Sequence, residues 1–204
     1  MTHLPPRHVV VALTGASGSI YGLRLVGALL RLGIRVDFIV SSAGREVMRH
    51  ETRIDYEAGR AAECLKDFLA APPGETLKGY AENDFFSPPA SGSADRDALI
   101  VCPCSTGAVG RFAHGIADGL VERAFEVFLK ERRPIFLVPR ETPLSAIALE
   151  NLASLARLGV AIVPAMPGFY HHPQRIEDLV DFIVAKLLNL LNLKQDYLPE
   201  WGQE

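Results

Sequence analysis

The sequence predicts a single doubly wound α/β domain, with a parallel sheet and helices on both of its faces. Short apolar, β-branched runs alternate with segments whose apolar residues recur at helical spacing, which is typical of βαβ units. The 204 residues fit one domain, with no internal repeat and no linker long enough to divide the chain. We therefore predict one Rossmann-like or flavodoxin-like domain over residues 1–204, with its ligand beyond the carboxyl ends of the strands.

The chain opens with a strand, a glycine-rich turn and a helix. Residues 8–14 (HVVVALT) form the strand, residues 15–19 (GASGS) the turn, and residues 20–31 carry leucine and valine at helical spacing. A second strand is predicted over residues 36–40, and a helix over residues 41–51. This order is the first half of a parallel, doubly wound sheet.

The middle of the chain contains a helix, a loop and a buried strand. A helical stretch is predicted over residues 56–69. Residues 84–93 are expected to be an ordered loop, because its two phenylalanines are costly to leave in water. The apolar residues 98–102 predict a buried strand that Pro103 ends.

The last third of the chain continues the alternation. Its predicted strands and helices are 118–131 (helix), 135–138 (strand), 144–158 (helix), 160–163 (strand) and 176–191 (helix). The final helix places its isoleucines, leucines and valines on one face, which predicts packing against the sheet.

Composition narrows the classes of function. Hydrophobic residues make up 49% and charged residues 22%, and the net charge is −3, so neither a nucleic acid nor an anionic membrane is an expected partner. No apolar run is long enough to span a membrane, and the first residues lack a secretory signal. The cysteines, Cys64, Cys102 and Cys104, form no C-x-x-C pair, so we expect no disulfide framework and a cytoplasmic protein.

The turn TGASGS (14–19) predicts a nucleotide phosphate site, because small residues at a helix start expose backbone amides. A tight turn without a ligand is the alternative. The spacing does not match G-x-G-x-x-G or the short-chain dehydrogenase pattern, and no tyrosine precedes a lysine by four residues. The second strand is followed by Ser41 and Ser42 rather than an acid. A mononucleotide is therefore favoured over a nicotinamide dinucleotide.

A second ligand loop, CPCSTG (102–107), follows the strand expected beside the first. A cysteine or serine there could be a nucleophile. No histidine has a spacing that suggests a base, however, and Ser105 and Thr106 are typical of a helix N-cap. Capping and ligand hydrogen bonding are favoured over covalent catalysis.

The chain resembles the flavin prenyltransferase family, whose members serve reversible decarboxylases that use prenylated FMN. The resemblance spans nearly the whole chain. The segments that carry it are TGASGSIYG (14–22), PPASGS (88–93), CPCSTG (102–107), LKERRPIFLVPRETPLS (129–145) and PGFYHHPQ (167–174). The last two are the most specific.

The resemblance implies a reaction and an assembly. Dimethylallyl is expected to pass from its monophosphate to N5 of reduced FMN, after which a ring closes through C6. The prenylated FMN is expected to serve a partner decarboxylase. The family forms large homo-oligomers, typically dodecamers, with sites at subunit boundaries. No Asp-rich motif for a magnesium diphosphate is present, so no metal is expected.

The resemblance also implies the site residues, some of which have two roles. The residues expected to bind FMN are Gly15, Ala16, Ser17, Ser41, Ser105, Thr106, Gly107, Ala108 and Arg140. The residues expected to bind the prenyl donor are Ser91, Arg123, Lys130, Arg140, Tyr170, Lys186 and Trp201. The residues expected to act in catalysis are Ser17, Glu51, Glu141, Lys130 and Tyr170.

These residue types suit the chemistry. Lys130, Arg140 and Tyr170 can stabilise a departing phosphate electrostatically. A carboxylate such as Glu51, or the released phosphate, could accept the C6 proton, and the Ser17 hydroxyl could hydrogen-bond N5. The basic residues that end helix 118–131 have a simpler reading as solvent-facing charges, and Arg140 with Glu141 could form a surface ion pair.

Two rival functions stay open on the sequence. One is an FMN-dependent decarboxylase of peptidyl or pantothenoyl cysteine, and the other is a non-catalytic FMN carrier. The carrier is disfavoured because it needs no second anion site. The tail, residues 192–204, holds Tyr197, Leu198 and Trp201, and it could dock on its own domain or on a neighbouring subunit. The resemblance favours the neighbour.

Overall fold

A computed structural model describes residues 4–69 and 76–198, and a parallel sheet lies at its centre. Its six strands are β1 (His8–Leu13), β2 (Arg35–Val40), β3 (Leu77–Tyr80), β4 (Ala98–Cys104), β5 (Ile135–Pro139) and β6 (Ala161–Ile162). They lie in the order β3-β2-β1-β4-β5-β6 and every pair is parallel. This is the strand order of Rossmann folds, and it confirms the predicted fold class.

Helices cover both faces of the sheet. They are α1 (Ser19–Arg31), α2 (Ser42–Thr52), α3 (Ala61–Cys64), α4 (Thr106–Ala113), α5 (Leu120–Lys130), α6 (Ala146–Arg157) and α7 (Ile176–Leu190). Alternate residues of β1 enter two hydrophobic clusters, one with α1 and α7 and one with α4, α5 and α6. The strands are buried on both faces for this reason, which explains their continuous apolar runs.

The strand order reverses between β1 and β4, so the loops after these two strands diverge to opposite faces. The register pairs Leu13 with Val40, so the loops after β1 and β2 leave the sheet side by side. Gly22 lets α1 lie close to β4, because a Cβ there would be 2.2 Å from the Cys102 carbonyl oxygen. The crevice at this carboxyl edge is the predicted ligand position.

The segment between β2 and β4 differs most from the prediction. The expected helix 56–69 is broken into two 3-10 turns on either side of the four-residue α3. Tyr56 is buried there, with its ring 5.4 Å from that of Phe38, so the segment follows the sheet edge. The edge strand β3 was not predicted, because LKGY is short and includes a glycine that packs against the carbonyl of Ala58.

Three other local predictions are wrong. The strand β4 does not end before Pro103 but runs to Cys104, with an irregular register after Val101. Phe85 and Phe86 are exposed in the single chain, Phe86 completely. The first residue of the apolar face of α7, Ile176, is exposed as well. The loop contains a 3-10 turn, Pro88–Ala90, and the described chain covers Phe85 only in part.

The described part of the C-terminal tail packs on its own domain. Leu193, Tyr197 and Leu198 lie against the cluster that contains α1 and α7, and the Arg31 guanidinium is 5.5 Å from the Tyr197 ring centroid. Trp201 lies outside the described residues. No helix among those described is long and apolar enough to cross a membrane.

Candidate active site at the carboxyl edge

Thr14 joins the two predicted ligand loops. Its hydroxyl donates to the carbonyl oxygen of Pro103 at 3.1 Å and accepts from the amide of Ser105 at 2.8 Å. Its own amide also donates to Pro103, at 3.2 Å, and the residue is 2% exposed. The glycine turn and the loop after β4 are therefore held together as one unit. Sequence reasoning missed this role, although a threonine directly after a buried strand was its visible signal.

Arg140 and Ser41 close the same crevice. The Arg140 side chain donates from Nε to the carbonyl oxygen of Ser17 at 2.9 Å, and its amide donates to Cys104 at 3.3 Å. The amide of Ser41 donates to Leu13 at 2.9 Å, which places the start of α2 beside the end of β1. The structure thus brings together all of the positions predicted to contact FMN.

Glu51 occupies the N-terminus of α1. Its Oε1 accepts from the amide of Gly18 at 2.9 Å, and its Oε2 accepts from the amide of Ser19 at 2.8 Å. Partial burial raises the pKa of Glu51, but hydrogen bonds from the Ser17 hydroxyl and from these amides outweigh it, so the pKa is lowered. An ionised carboxylate therefore sits at the predicted phosphate position. The Glu51 carboxylate therefore occupies the position at the start of α1 where the phosphate was expected to bind.

The N-terminus of α4 has free amides instead. The Ser105 hydroxyl accepts from the amide of Ala108 at 3.2 Å, which confirms the predicted N-cap. The amides of Thr106 and Gly107 have no acceptor within residues 4–69 and 76–198. The start of α2 is different, since Glu82 accepts from the amide of Ser42 at 2.8 Å. The N-terminus of α4 is therefore the anion position that fits a mononucleotide phosphate.

The cysteines of the second loop are not nucleophiles in this geometry. Cys102 and Cys104 are fully buried, and burial raises the pKa of both thiols. A thiol that stays protonated is inert. The Ser105 hydroxyl is engaged as a helix cap. The geometry of this loop therefore favours helix capping and ligand hydrogen bonding over covalent catalysis.

A second group of predicted residues lies beside α1, on the segment after β6 and on α7. The Tyr170 ring is 5.6 Å from that of Phe182, and the Lys186 Nζ is 5.4 Å from the centroid of the same ring. Arg24 of α1 joins the two helices, because its guanidinium donates two hydrogen bonds to the carboxylate of Asp181 on α7, at 2.6 and 2.5 Å. Tyr170 and Lys186 thus both contact the ring of Phe182.

Lys130, in contrast, lies at the opposite edge of the sheet from Arg140. The helix α5 begins at the carboxyl edge, where the amide of Leu120 donates to Glu82 at 2.7 Å, and Lys130 is its last residue. Arg140 follows the far end of β5, and this five-residue strand alone spans about 16 Å. A single chain therefore does not bring Lys130 to the edge of the sheet where Arg140 lies.

Arg123 and Ser91 lie with α5 as well. The Arg123 Nε donates to the Ala90 carbonyl oxygen at 3.3 Å, and the Ser91 hydroxyl is 2.9 Å from that of Ser93. Glu141 is exposed beside Arg140 and accepts from the neighbouring amide of Thr142 rather than from the arginine. The surface ion pair is therefore not formed.

Comparison with known proteins decides the family. A sequence profile described as flavoprotein matches residues 1–188. The flavin prenyltransferase UbiX of Pseudomonas aeruginosa is 47% identical over 201 residues, which cover 98% of this chain and 96% of the relative. The chain belongs to the flavin prenyltransferase family. The predicted family and enzyme class are thereby confirmed.

Solved structures of similar proteins agree with this membership. A dodecameric FMN-dependent UbiX-like decarboxylase from Escherichia coli O157:H7 has a TM-score of 0.84 at 36% identity, and the match covers 96% of this chain and 99% of that one. AnUbiX in complex with FMN and dimethylallyl pyrophosphate has a TM-score of 0.84 at 34% identity, with coverage of 97% and 98%. The carboxyl-edge crevice of this family member is the candidate active site.

Proposed function

We propose that this protein joins dimethylallyl, from its monophosphate, to N5 and C6 of reduced FMN, giving prenylated FMN for a partner decarboxylase. The observation that carries the proposal is that the chain has two separate groups of candidate anion-binding residues. One has free helix amides for a mononucleotide phosphate, and the other has the tyrosine and cation of a second anion site. The AnUbiX structure, which contains FMN with dimethylallyl pyrophosphate, supports the same pairing of ligands.

The crevice fits FMN as the acceptor substrate. The amides of Thr106 and Gly107 would hold its phosphate, and the remaining predicted contacts would line the ribityl chain and ring: Gly15, Ala16, Ser17, Ser41, Ser105, Ala108 and Arg140. Reduced FMN supplies a nucleophilic nitrogen, N5, and a ring carbon, C6, for the second bond. Glu51 would keep the Ser17 hydroxyl oriented, because it accepts that hydrogen bond as an ionised group.

The transfer step needs stabilisation of a leaving anion. The allylic C–O bond breaks, the phosphate departs with the electron pair, and the carbon bonds to N5. Lys130, Arg140 and Tyr170 would balance the charge on the phosphate. Closing the ring releases the C6 proton, which the phosphate or a carboxylate, Glu51 or Glu141, would accept.

We propose that the active enzyme is a homo-oligomer, with a dodecamer as the expected size. Lys130 lies at the opposite edge of the sheet from the crevice of its own chain, so a neighbouring subunit would bring it there, together with Arg123 and Ser91. Phe86 lies on the same loop as Ser91 and is fully exposed in the single chain, which indicates an apolar contact with another subunit. The Escherichia coli relative is described as dodecameric. Residues 199–204, with Trp201, are proposed to reach a neighbouring site.

The function is tested by mass spectrometry of FMN after anaerobic incubation with reduced FMN and dimethylallyl monophosphate. We expect FMN that is heavier by one C5H8 unit, and unaltered FMN when the donor is left out. A parallel reaction with the pyrophosphate tests the donor, and we expect the monophosphate to react faster. Unaltered FMN in the complete reaction, from protein that binds FMN, would reject the proposal. Release of CO2 from a cysteine-ending peptide would favour the decarboxylase.

A Glu51→Gln variant is expected to form product more slowly while both substrates still bind. The amide keeps the shape, but its NH2 group cannot accept from the amides of Gly18 and Ser19. Because the pKa of Glu51 is lowered on folding, its stabilising contribution is present above its ordinary pKa and is lost as the pH falls through the lowered value. The melting temperature of the variant should therefore depend less on pH in acid.

Glu46→Gln is the matched control, since Glu46 lies on the same helix and pairs only with Arg49 at the surface. It should behave as the wild type in turnover and in the acid dependence of melting. If Glu51→Gln turns over at the wild-type rate across pH, then Glu51 neither accepts the proton nor orients Ser17.

A further inference from the structure

Phe182 is the centre of the second anion site. The ring of Tyr170 meets it edge to face at 5.6 Å, and the imidazole of His171 stacks on it at 5.4 Å. The ammonium group of Lys186, one helical turn further along α7, lies 5.4 Å from the ring centroid. Phe182 itself is 7% exposed. One side chain of α7 therefore contacts two of the residues proposed to bind the prenyl donor.

The segment before α7 is fitted tightly to this ring. A Cβ on Gly168 would lie 3.0 Å from the Tyr170 ring and 3.1 Å from the Phe182 ring, closer than ordinary contacts. The Tyr170 and His171 rings are 5.8 Å apart, so with Phe182 they form a closed triangle. The ring positions are thus fixed by mutual contact.

The surroundings of His171 indicate that the ring cluster of Tyr170, His171 and Phe182 has a role beyond packing. Both of its ring nitrogens are buried, and neither has a hydrogen-bond partner in the described chain. Buried polar atoms in native proteins nearly always have partners, which include ordered water and ligands. The imidazole of His171 is held by stacking on Phe182, and its two nitrogens are available to hydrogen-bond a polar ligand.

We propose that Phe182 is a positioning residue for the prenyl-phosphate site, a role that rests on the function proposed above. Its edge-to-face contact fixes the Tyr170 ring, and the attraction of its π face restrains the flexible Lys186 side chain. The hydroxyl and the ammonium group are thereby held at a set separation, ready for a phosphate. Phe182 acts through these two residues and does not itself touch the reacting atoms.

The test compares Phe182→Leu with Phe136→Leu. Phe136 is a buried phenylalanine of the same hydrophobic cluster, but it lies on β5 and not on α7. We expect Phe182→Leu to raise the KM for dimethylallyl monophosphate about tenfold, the loss expected for one or two such ring contacts. The Kd for FMN should stay as in the wild type. Phe136→Leu should lower the melting temperature and leave both constants unchanged.

A double-mutant cycle with Lys186→Met separates positioning from general packing. Because Phe182 acts partly through Lys186, the loss in the double variant should be smaller than the two single losses combined. Gly168→Ala is a second route, because its methyl group pushes on both rings without removing either one, and it should raise the same KM. An unchanged donor KM in Phe182→Leu and Gly168→Ala, additive losses in the cycle, or a matching loss of FMN affinity would each overturn the proposal. Failure of the proposed function would differ, since the wild type would then make no prenylated FMN.

Discussion

Prenyl transfer is expected to fall about 10²–10³-fold in Lys130→Ala and in Tyr170→Phe, while FMN stays bound. Each variant removes one group that balances charge on the departing phosphate, and such contacts act mainly in the transition state. Neither residue is among those proposed to hold FMN, since Tyr170 lies beside Phe182 and Lys130 is proposed to reach the prenyl phosphate from a neighbouring chain. Single-turnover formation of prenylated FMN measures the loss, and flavin fluorescence measures the binding.

Arg132→Ala is the matched control for Lys130→Ala. Arg132 is an exposed basic residue two positions later, just beyond the end of α5, and it carries the same charge. Arg132→Ala should keep wild-type turnover if the loss in Lys130→Ala comes from Lys130 itself and not from removing any positive charge at this edge of the sheet. Wild-type turnover in both Lys130→Ala and Tyr170→Phe would remove the second anion site from the mechanism.

The fold was predictable because its signals are local. The alternation of β-branched runs with helical spacing predicted five of the strands and the long helices. The edge strand β3 lacked such a signal, since a four-residue strand with Lys78 and Gly79 has no apolar run. Residues 56–69 had helical spacing, but contacts with the sheet edge broke them into short turns.

The site was predictable only where its residues follow strands. Ser41, Ser105 and Arg140 come directly after β2, β4 and β5, so a parallel sheet brings them to one edge. The capping of α1 by Glu51 was not predictable, because it joins a glycine turn to the end of another helix 33 residues away. The position of Lys130 relative to Arg140 was not predictable from their closeness in sequence, because Lys130 ends α5 and Arg140 follows the next strand, β5.

Mixing two inactive variants is expected to restore activity if subunits share the site. Lys130→Ala and Arg140→Ala chains should each be inactive as pure assemblies. When they are co-expressed with different tags and purified through both, about a quarter of the sites in a random assembly combine an intact Lys130 with an intact Arg140. Those sites should turn over normally, because the two residues come from different chains. The rate of FMN prenylation, at saturating FMN, gives the restored fraction.

Sites formed within one chain would give the opposite result. If one chain supplied both residues, every site in the mixture would lack either the lysine or the arginine, and the mixture would be as inactive as its parents. Differently tagged wild-type chains purified in the same way show that tagging leaves activity intact. Opposite edges of one sheet separate Lys130 from Arg140 in the single chain, and α5 is anchored at both of its ends, by Glu82 at Leu120 and by the start of β5 after Lys130. Because a single chain keeps the two residues at opposite edges of the sheet, we expect the mixed assembly to regain activity.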